Sequence, residues 1–277
     1  TSSGKIGYKL SGEYLSANEF QNELRYAGNV REQGIGGAVD WKTDVMRGEG
    51  ALVYYAGANR FEANAGMSKS NGVGQTNVGR NQLVNWQYRH AQLKWTAPRW
   101  YANAYATQSL SGDSYAINRY ASARLTTPAT ISDDSVAKLS DWPAEGRLYA
   151  AELQNNFTIA PLLDTRVVWG AQVRRDDVSS KREWLADRVT NENIILNQQG
   201  VYAQTETPLS AQLRVVLSGR YDKSTAYDAN FSPKAAILYT PVNDQTIRLT
   251  YNRAFKTPTI LNNYFSINDF VKLAAGF

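Results

Sequence analysis

Apolar and polar residues alternate one for one along most of this chain, in runs far longer than an ordinary strand. Ile6, Tyr8, Leu10 and Tyr14 share one parity, and Lys5, Lys9, Ser11 and Glu13 the other. In 60–70, Phe61, Ala63, Ala65 and Met67 oppose Glu62, Asn64 and Ser68. In 145–160, Tyr149, Ala151, Leu153, Phe157 and Ile159 oppose Glu152, Gln154, Asn156 and Thr158. The same holds for Val167, Trp169, Ala171 and Val173 against Arg166, Gln172 and Arg174. Leu213, Val215, Leu217 and Tyr221 oppose Arg214, Ser218, Arg220 and Asp222; Ile247, Leu249 and Tyr251 oppose Arg248, Thr250 and Asn252. A period of two is the signature of extended chain with two unlike faces. The runs last about 10 to 14 residues, against a usual mode of roughly 5–6. Charge sits in mid-strand on one face, and Tyr or Trp sits near strand ends on the other. A soluble sandwich has no need of that second feature; a membrane-spanning barrel has, because aromatic rings settle at both interfaces.

Composition removes several alternatives. Cysteine is absent, so disulfide frameworks, thiolate metal sites and cysteine nucleophiles are excluded. The one histidine, His90, excludes multi-histidine metal sites. Mean hydropathy is −0.47, and the longest apolar stretch is about Ala51–Ala56, far short of the roughly 20 residues a spanning helix needs. The net charge of +5 comes from scattered Lys and Arg without a run of four, so nucleic acid is not an expected partner.

The connections predict a sidedness. Short ones fall at 57–59, 97–99, 161–164, 207–210 and 241–245; long ones at 71–83, 111–144, 177–195, 223–230 and from 256 on. Pro98, Pro161, Pro208 and Pro241 stand in the short set, where a fixed φ and a missing N–H do no harm. Strict alternation of short turns and long loops is the pattern of an outer-membrane barrel. Segment 35–45, with Val39, Trp41, Thr43 and Val45 on one face, then reads as an extension of the strand at 47–56, bent around Gly48 and Gly50. Eleven spanning strands follow: 4–16, 47–56, 60–70, 84–97, 100–110, 145–160, 165–176, 196–207, 211–222, 231–240 and 246–255.

GVYAQTETPL (200–209), LRVVLSGRYDKSTAYDANFSPKAAILYTP (213–241) and TIRLTYNRAFKTPTI (246–260) resemble the barrel of TonB-dependent outer-membrane receptors. SGDSYAINRY (111–120) and GKIGYKLSGEYL (4–15) do too, so the resemblance covers nearly the whole chain. It implies an all-β, antiparallel transmembrane barrel, with about 11 strands here of the roughly 22 that close around a plugged lumen. Residues 1–277 are thus expected to be a partial barrel domain without plug or true C-terminal strands, although Phe277, with Asp269, Val271, Leu273 and Ala275 in its parity, imitates a closing strand. The resemblance further implies energy-coupled uptake of a scarce large solute across a Gram-negative outer membrane. That solute is an iron chelate, cobalamin or an oligosaccharide. The periplasmic TonB protein drives uptake through an N-terminal part not represented here, outer-membrane lipid surrounds a monomeric complete barrel, and neither cofactor nor covalent catalysis is involved. A passive porin and a soluble β-rich carbohydrate-binding protein are the alternatives; a propeller would need repeats of about 40–50 residues, and none is found.

The candidate lumen-lining residues are Glu152, Arg166, Arg174, Arg214, Arg220, Asp222 and Arg248. A positively lined lumen concentrates an anionic solute; equally, these arginines can be structural, pairing with plug carboxylates and with Glu152 and Asp222. His90 is expected to be a wall residue sharing a face with Gln92 and Lys94. GVGQTNVGRN (72–81) nearly spells a phosphate loop, but Arg80 and Asn81 replace the Lys and Ser/Thr and no helix pattern follows, so a flexible loop is expected. Asp133–Asp134 and Asp176–Asp177 are adjacent carboxylates of the kind that can hold calcium, without the Asp-x-Asp-x-Asp ladder. Trp41, Trp95, Trp100, Trp169 and Tyr239 are expected to be interface anchors rather than sugar platforms.

Overall fold

The long alternating runs pair into one sheet. The computed structural model describes residues 4–21, 24–26, 30–31, 39–76, 79–181, 183–185, 187 and 193–265. In chain order the elements are β1 (Ile6–Asn18), β2 (Arg25–Tyr26), β3 (Val30–Arg31), β4 (Lys42–Ala56), β5 (Asn59–Thr76), β6 (Gly79–Thr96), β7 (Trp100–Leu110) and β8 (Tyr115–Ala116), then α1 (Ile117–Thr126) and α2 (Asp133–Leu139). They continue with β9 (Glu145–Ile159), β10 (Thr165–Ser179), β11 (Ile194–Pro208), β12 (Leu213–Ser224), β13 (Asn230–Val242), β14 (Gln245–Asn252) and α3 (Ile260–Tyr264). The eleven long strands form an up-and-down antiparallel path, β1-β4-β5-β6-β7-β9-β10-β11-β12-β13-β14, with β8 paired to the side of β6. These are the eleven runs that the alternation predicts. Among the described residues β1 pairs only with β4 and β14 only with β13, so the sheet is open at both edges.

Register keeps every apolar run on one face. One row reads Ile6, Tyr54, Phe61, Trp95, Ala102, Leu153 and Ala171. Another links Leu217, Ala235 and Tyr251. A one-residue slip in any pair would have inverted a strand, and none has. The two faces differ in cover. In β11, Ile195, Asn197, Gln199 and Val201 are exposed, whereas Ile194, Leu196 and Gly200 between them are buried. In β10 the exposed residues include Trp169 and Val173, and Gly170 and Asp176 are buried. The polar face is the better covered one: Gly200 and Asp176 lie under arginine side chains, and Ile194 and Leu196 under Leu185, Trp184, Ile260 and Tyr264.

The apolar face carries aromatic residues at two levels. Tyr149 and Phe157 of β9 are eight residues apart, as are Phe231 and Tyr239 of β13. At about 3.4 Å per residue this is about 27 Å along the strand, or about 21 Å across a bilayer for a strand tilted by about 40°. That is close to the roughly 25 Å apolar band of an outer-membrane barrel. Toward the short turns, Phe61 stacks on Trp95 at 6.3 Å and Trp100 meets Trp169 edge-on at 6.0 Å.

Among the described residues the sheet itself has almost no buried apolar core, and two buried apolar clusters lie at the long-loop end. Tyr115, Ile117, Tyr120 and Val136 form one, with Val39, Val73 and Val84 against it. Leu185, Ile194 and Leu196 form the other, beside Trp184, Ile260 and Tyr264. The connection 111–144, expected as a loop, thus contains two helices. Ser132 caps α2 by accepting from the Ser135 N–H, and Asp133 and Asp134 occupy its first turn, where the helix dipole favours them. α1 lacks a capping side chain and is held by packing of Ile117, Tyr120 and Ala121.

Three further expectations are corrected. The segment 71–83 is not a long loop: after a bulge between Ser70 and Gly72, Val73–Thr76 pair with Gly79–Gln82, so β5 and β6 extend beyond the apolar band and the length alternation fails there. The same pairing replaces the flexible loop expected at 72–81. β4 starts at Lys42 and pairs without a bulge through Gly48 and Gly50, so no bend occurs at those glycines; Val39 and Trp41 precede it, and 35–38 lie outside the described residues. The connection at 223–230 shrinks to 225–229. Asp269, Val271, Leu273, Ala275 and Phe277 lie outside the described residues. No helix among the described residues is long and apolar enough to cross a membrane, which has no bearing on crossing by strands.

Candidate functional site

The polar face of β9–β12 holds a side-chain network that spans four strands. It is built around two glycines. Gly170 of β10 stands opposite both Gln154 of β9 and Tyr202 of β11. The Tyr202 ring lies across it, and its hydroxyl reaches two strands away, donating to Glu152 Oε1 at 2.8 Å with Gln154 Oε1 at 2.9 Å. A Cβ on Gly170 would stand 2.5 Å from the ring, so the glycine is required here for room. One strand on, Gly200 stands opposite Asp222. A Cβ there would lie 2.5 Å from Asp222 Oδ1 and 2.8 Å from Arg220 Nη2.

Arg220 connects the parts. Its guanidinium donates to Asp222 from Nε at 2.8 Å and from Nη2 at 2.7 Å. Nη2 also donates to Gln172 Oε1 at 3.1 Å, and the group sits 5.8 Å from the centre of the Tyr202 ring. Charge-assisted forks of this kind are the stronger protein hydrogen bonds, and the stacked cation adds roughly 0.5–1 kcal/mol. Glu152, Gln154, Gln172, Tyr202, Arg220 and Asp222 therefore form one rigid unit across four strands.

The remaining predicted residues fall outside it. Arg174 forks onto Asp176 with two 2.8 Å bonds. Arg214 pairs with Glu206 at 2.9 Å, with its side chain half exposed, which places the pair at the weak end of ion-pair contributions. Arg248 donates to Thr250 Oγ1 at 3.1 Å, and neither it nor Arg166 has a carboxylate within ion-pair distance among the described residues. Three of the five arginines are thus neutralised by the sheet's own carboxylates. Asp222 is one of these; Glu152 binds a tyrosine hydroxyl instead. Tyr202, Gln172, Gln154, Gly170 and Gly200 were not singled out from sequence. Their parity is readable, but that they converge depends on register between strands.

The two pairs of adjacent carboxylates take different places in the fold. Alternation puts Asp176 and Asp177 on opposite faces of β10, and Asp133 accepts from the Tyr120 hydroxyl at 2.9 Å and pairs with Arg124 at 2.9 Å. No group of three or more metal-ligating side chains gathers among the described residues. His90 shares the polar face with Gln92 and Lys94, beside a cleft of about 280 Å³ bordered by Ser11, Glu13, Arg47, Glu49 and Tyr88. A cleft of about 1470 Å³ crosses nine strands, bordered by Ala63, Ala65, Ala91, Ala104, Ala106 and Ala151 of the apolar face and, toward β10–β12, by Arg175, Gln199 and Lys223. Trp95, Trp100, Trp169 and Tyr239 stand on that same face, and Arg80 lies 5.2 Å over the Trp41 ring.

Residues 12–274 match the family described as TonB dependent receptor-like, beta-barrel. The chain belongs to this family. The receptor barrel is also similar to solved structures. A ferric enterobactin receptor (PfeA) variant from Pseudomonas aeruginosa is 11% identical, with a TM-score of 0.62 over 94% of this chain and 40% of that one. The siderophore receptor PirA from Pseudomonas aeruginosa is 12% identical, with a TM-score of 0.56 over 79% and 34%. The FrpB iron transporter from Neisseria meningitidis (F3-3 variant) is 12% identical, with a TM-score of 0.58 over 90% and 43%. The chain therefore spans about two fifths of the length of these receptors. No curated relative matches its sequence.

Proposed function

We propose that this chain is the barrel wall of an energy-coupled receptor that takes up a scarce large solute across a Gram-negative outer membrane. One observation carries the reading: the family match over residues 12–274 coincides with a sheet whose outer face is an apolar band between aromatic levels. The lipid of that membrane covers this band. Glu152, Arg166, Arg174, Arg214, Arg220, Asp222 and Arg248 line the lumen of a monomeric barrel completed by strands outside residues 1–277, around a plug that also lies outside them. The TonB protein acts on that plug from the periplasm. The wall performs no bond-making chemistry; its polar unit braces strands against the force of transport.

Among iron chelates, cobalamin and oligosaccharides, an iron chelate is the solute favoured here, since similar folds occur in a siderophore receptor and a ferric enterobactin receptor. The test is uptake of a labelled ferric siderophore by cells in which the intact protein is the sole route. Saturable uptake that disappears without TonB or with a protonophore is expected. Unsaturable uptake that survives both treatments would make the protein a passive porin.

A further inference from the structure

On the outer face, residue character changes sharply toward the long loops. Arg89 of β6, Arg147 of β9, Arg175 of β10 and Lys223 of β12 all stand on the apolar face by register, and all are exposed; Lys69 of β5 joins them, partly covered. They lie just beyond Ala91, Ala106, Tyr149 and Val201. Arg89 and Arg147 both pair with Gln108, so they are two strands apart, about 10 Å. Arg175 pairs with Tyr149 and is a diagonal neighbour of Arg147, about 7–8 Å away. Lys69 pairs with Gln87 and is diagonal to Arg89.

Among the described residues none of these five cations has a carboxylate within ion-pair distance. Arg89 donates to Gln87 Oε1 at 2.5 Å, a neutral partner. The acids on the same face near them are few. Asp177 stands opposite Arg147 in register, Glu145 lies opposite Ser179, and Asp44 is held by Lys42 at 3.0 Å. On the inner face, by contrast, Arg174, Arg214 and Arg220 have their own carboxylates. Toward the short turns the outer face presents Tyr54, Phe61, Trp95, Trp100, Trp169 and Tyr239 instead of cations. A row of like charges over six inter-strand steps is self-repelling unless anions lie among them. Immediately above an apolar band, the anion at hand is a lipid headgroup.

We propose that this row binds the phosphate groups of lipids in the leaflet at the long-loop end. The inference rests on the membrane reading above. The intact receptor is reconstituted into phosphatidylcholine vesicles containing diphosphorylated lipid A at about 10 mol%, re-extracted in neutral detergent, and its retained lipid A measured by mass spectrometry. Joint replacement Arg89→Gln, Arg147→Gln, Arg175→Gln and Lys223→Gln is expected to lower retention by about tenfold or more. The charge-preserving set Arg89→Lys, Arg147→Lys, Arg175→Lys and Lys223→Arg, and the inner-face set Arg166→Gln, Arg214→Gln and Arg248→Gln, are expected to retain it. Equal retention by the glutamine set, or equal retention of dephosphorylated lipid A by the native protein, overturns this inference alone. Failure of the native protein to insert overturns the membrane reading with it.

Discussion

Tyr202 illustrates how a single side chain acts here through space left by another. Its hydroxyl bridges β11 to β9 because Gly170 leaves β10 bare beneath the ring. Gly170→Ala inserts a methyl 2.5 Å from that ring and forces it away from Glu152. Overpacking of this size costs about 1–3 kcal/mol, and the lost bond to a carboxylate is worth about 1.5–3 kcal/mol. Tyr202→Ala removes the ring and the bond together, and leaves the Leu153 carbonyl oxygen, at 2.9 Å, crowding the new methyl. In a double-mutant cycle, the two changes combined are therefore expected to cost clearly less than the sum of each alone. Unfolding of the intact receptor in detergent, followed by heat-dependent gel mobility, measures this. Strict additivity would show that the ring and the glycine do not interact. The residue types of this site are legible in the sequence, and so is their parity; Gln172 is legible only as a polar-face residue, and Tyr202 carries no charge to mark it as part of the lumen set.

At the scale of elements, the long connection between β7 and β9 is closely packed, with Ile117, Tyr120, Ala121 and Val136 fully buried. Trp142 stacks on Trp184 at 5.2 Å, Lys181 pairs with Asp141 at 2.9 Å, and Arg119 binds Glu183 at 2.9 Å, so two outer loops are clasped together. The Lys181 pKa is raised, chiefly by its hydrogen bond to Asp141. Within the module, burial pushes Tyr115 and Tyr120 up to about 12, from an ordinary 10. A raised phenol pKa means the folded module holds its protons more tightly than the unfolded chain. Its stability is complete below about pH 10 and falls as pH rises toward 12. Limited proteolysis within 111–144 is accordingly expected to accelerate between about pH 10 and 12, and less so in Tyr115→Phe, which has no proton to lose. Identical rates at pH 9 and 11.5 would exclude the mechanism. These helices were not legible in advance: α1 carries no capping side chain, and α2 spans seven residues, too few for a 3.6-residue period to register.

At the scale of the whole molecule, the open sheet has two edges and an outer face of exposed apolar residues, with Tyr8 at 87%, Leu10 at 85% and Leu249 at 72%. Unpaired strand edges recruit other chains in water, and so does an apolar patch of this extent. In hydrocarbon each unpaired backbone group costs several kcal/mol. Residues 1–277 produced alone are therefore expected to aggregate without detergent. A monodisperse soluble monomer by light scattering would refute the membrane reading and favour a soluble β-rich protein.

The sequence by itself determined the eleven strands, their faces and their mixture of short and long connections, because a period of two is local and each strand repeats it many times. It also carried the family resemblance that residues 12–274 bear out. Tertiary structure alone decided which residues meet. Register set Tyr202 over Gly170 and Arg220 beside Gln172, contacts 32 and 48 positions apart in sequence. Those contacts depend on strand offsets, and alternation leaves an offset undefined by any multiple of two residues. The turns, the bulge after Ser70 and the packing of the loop helices resolve it.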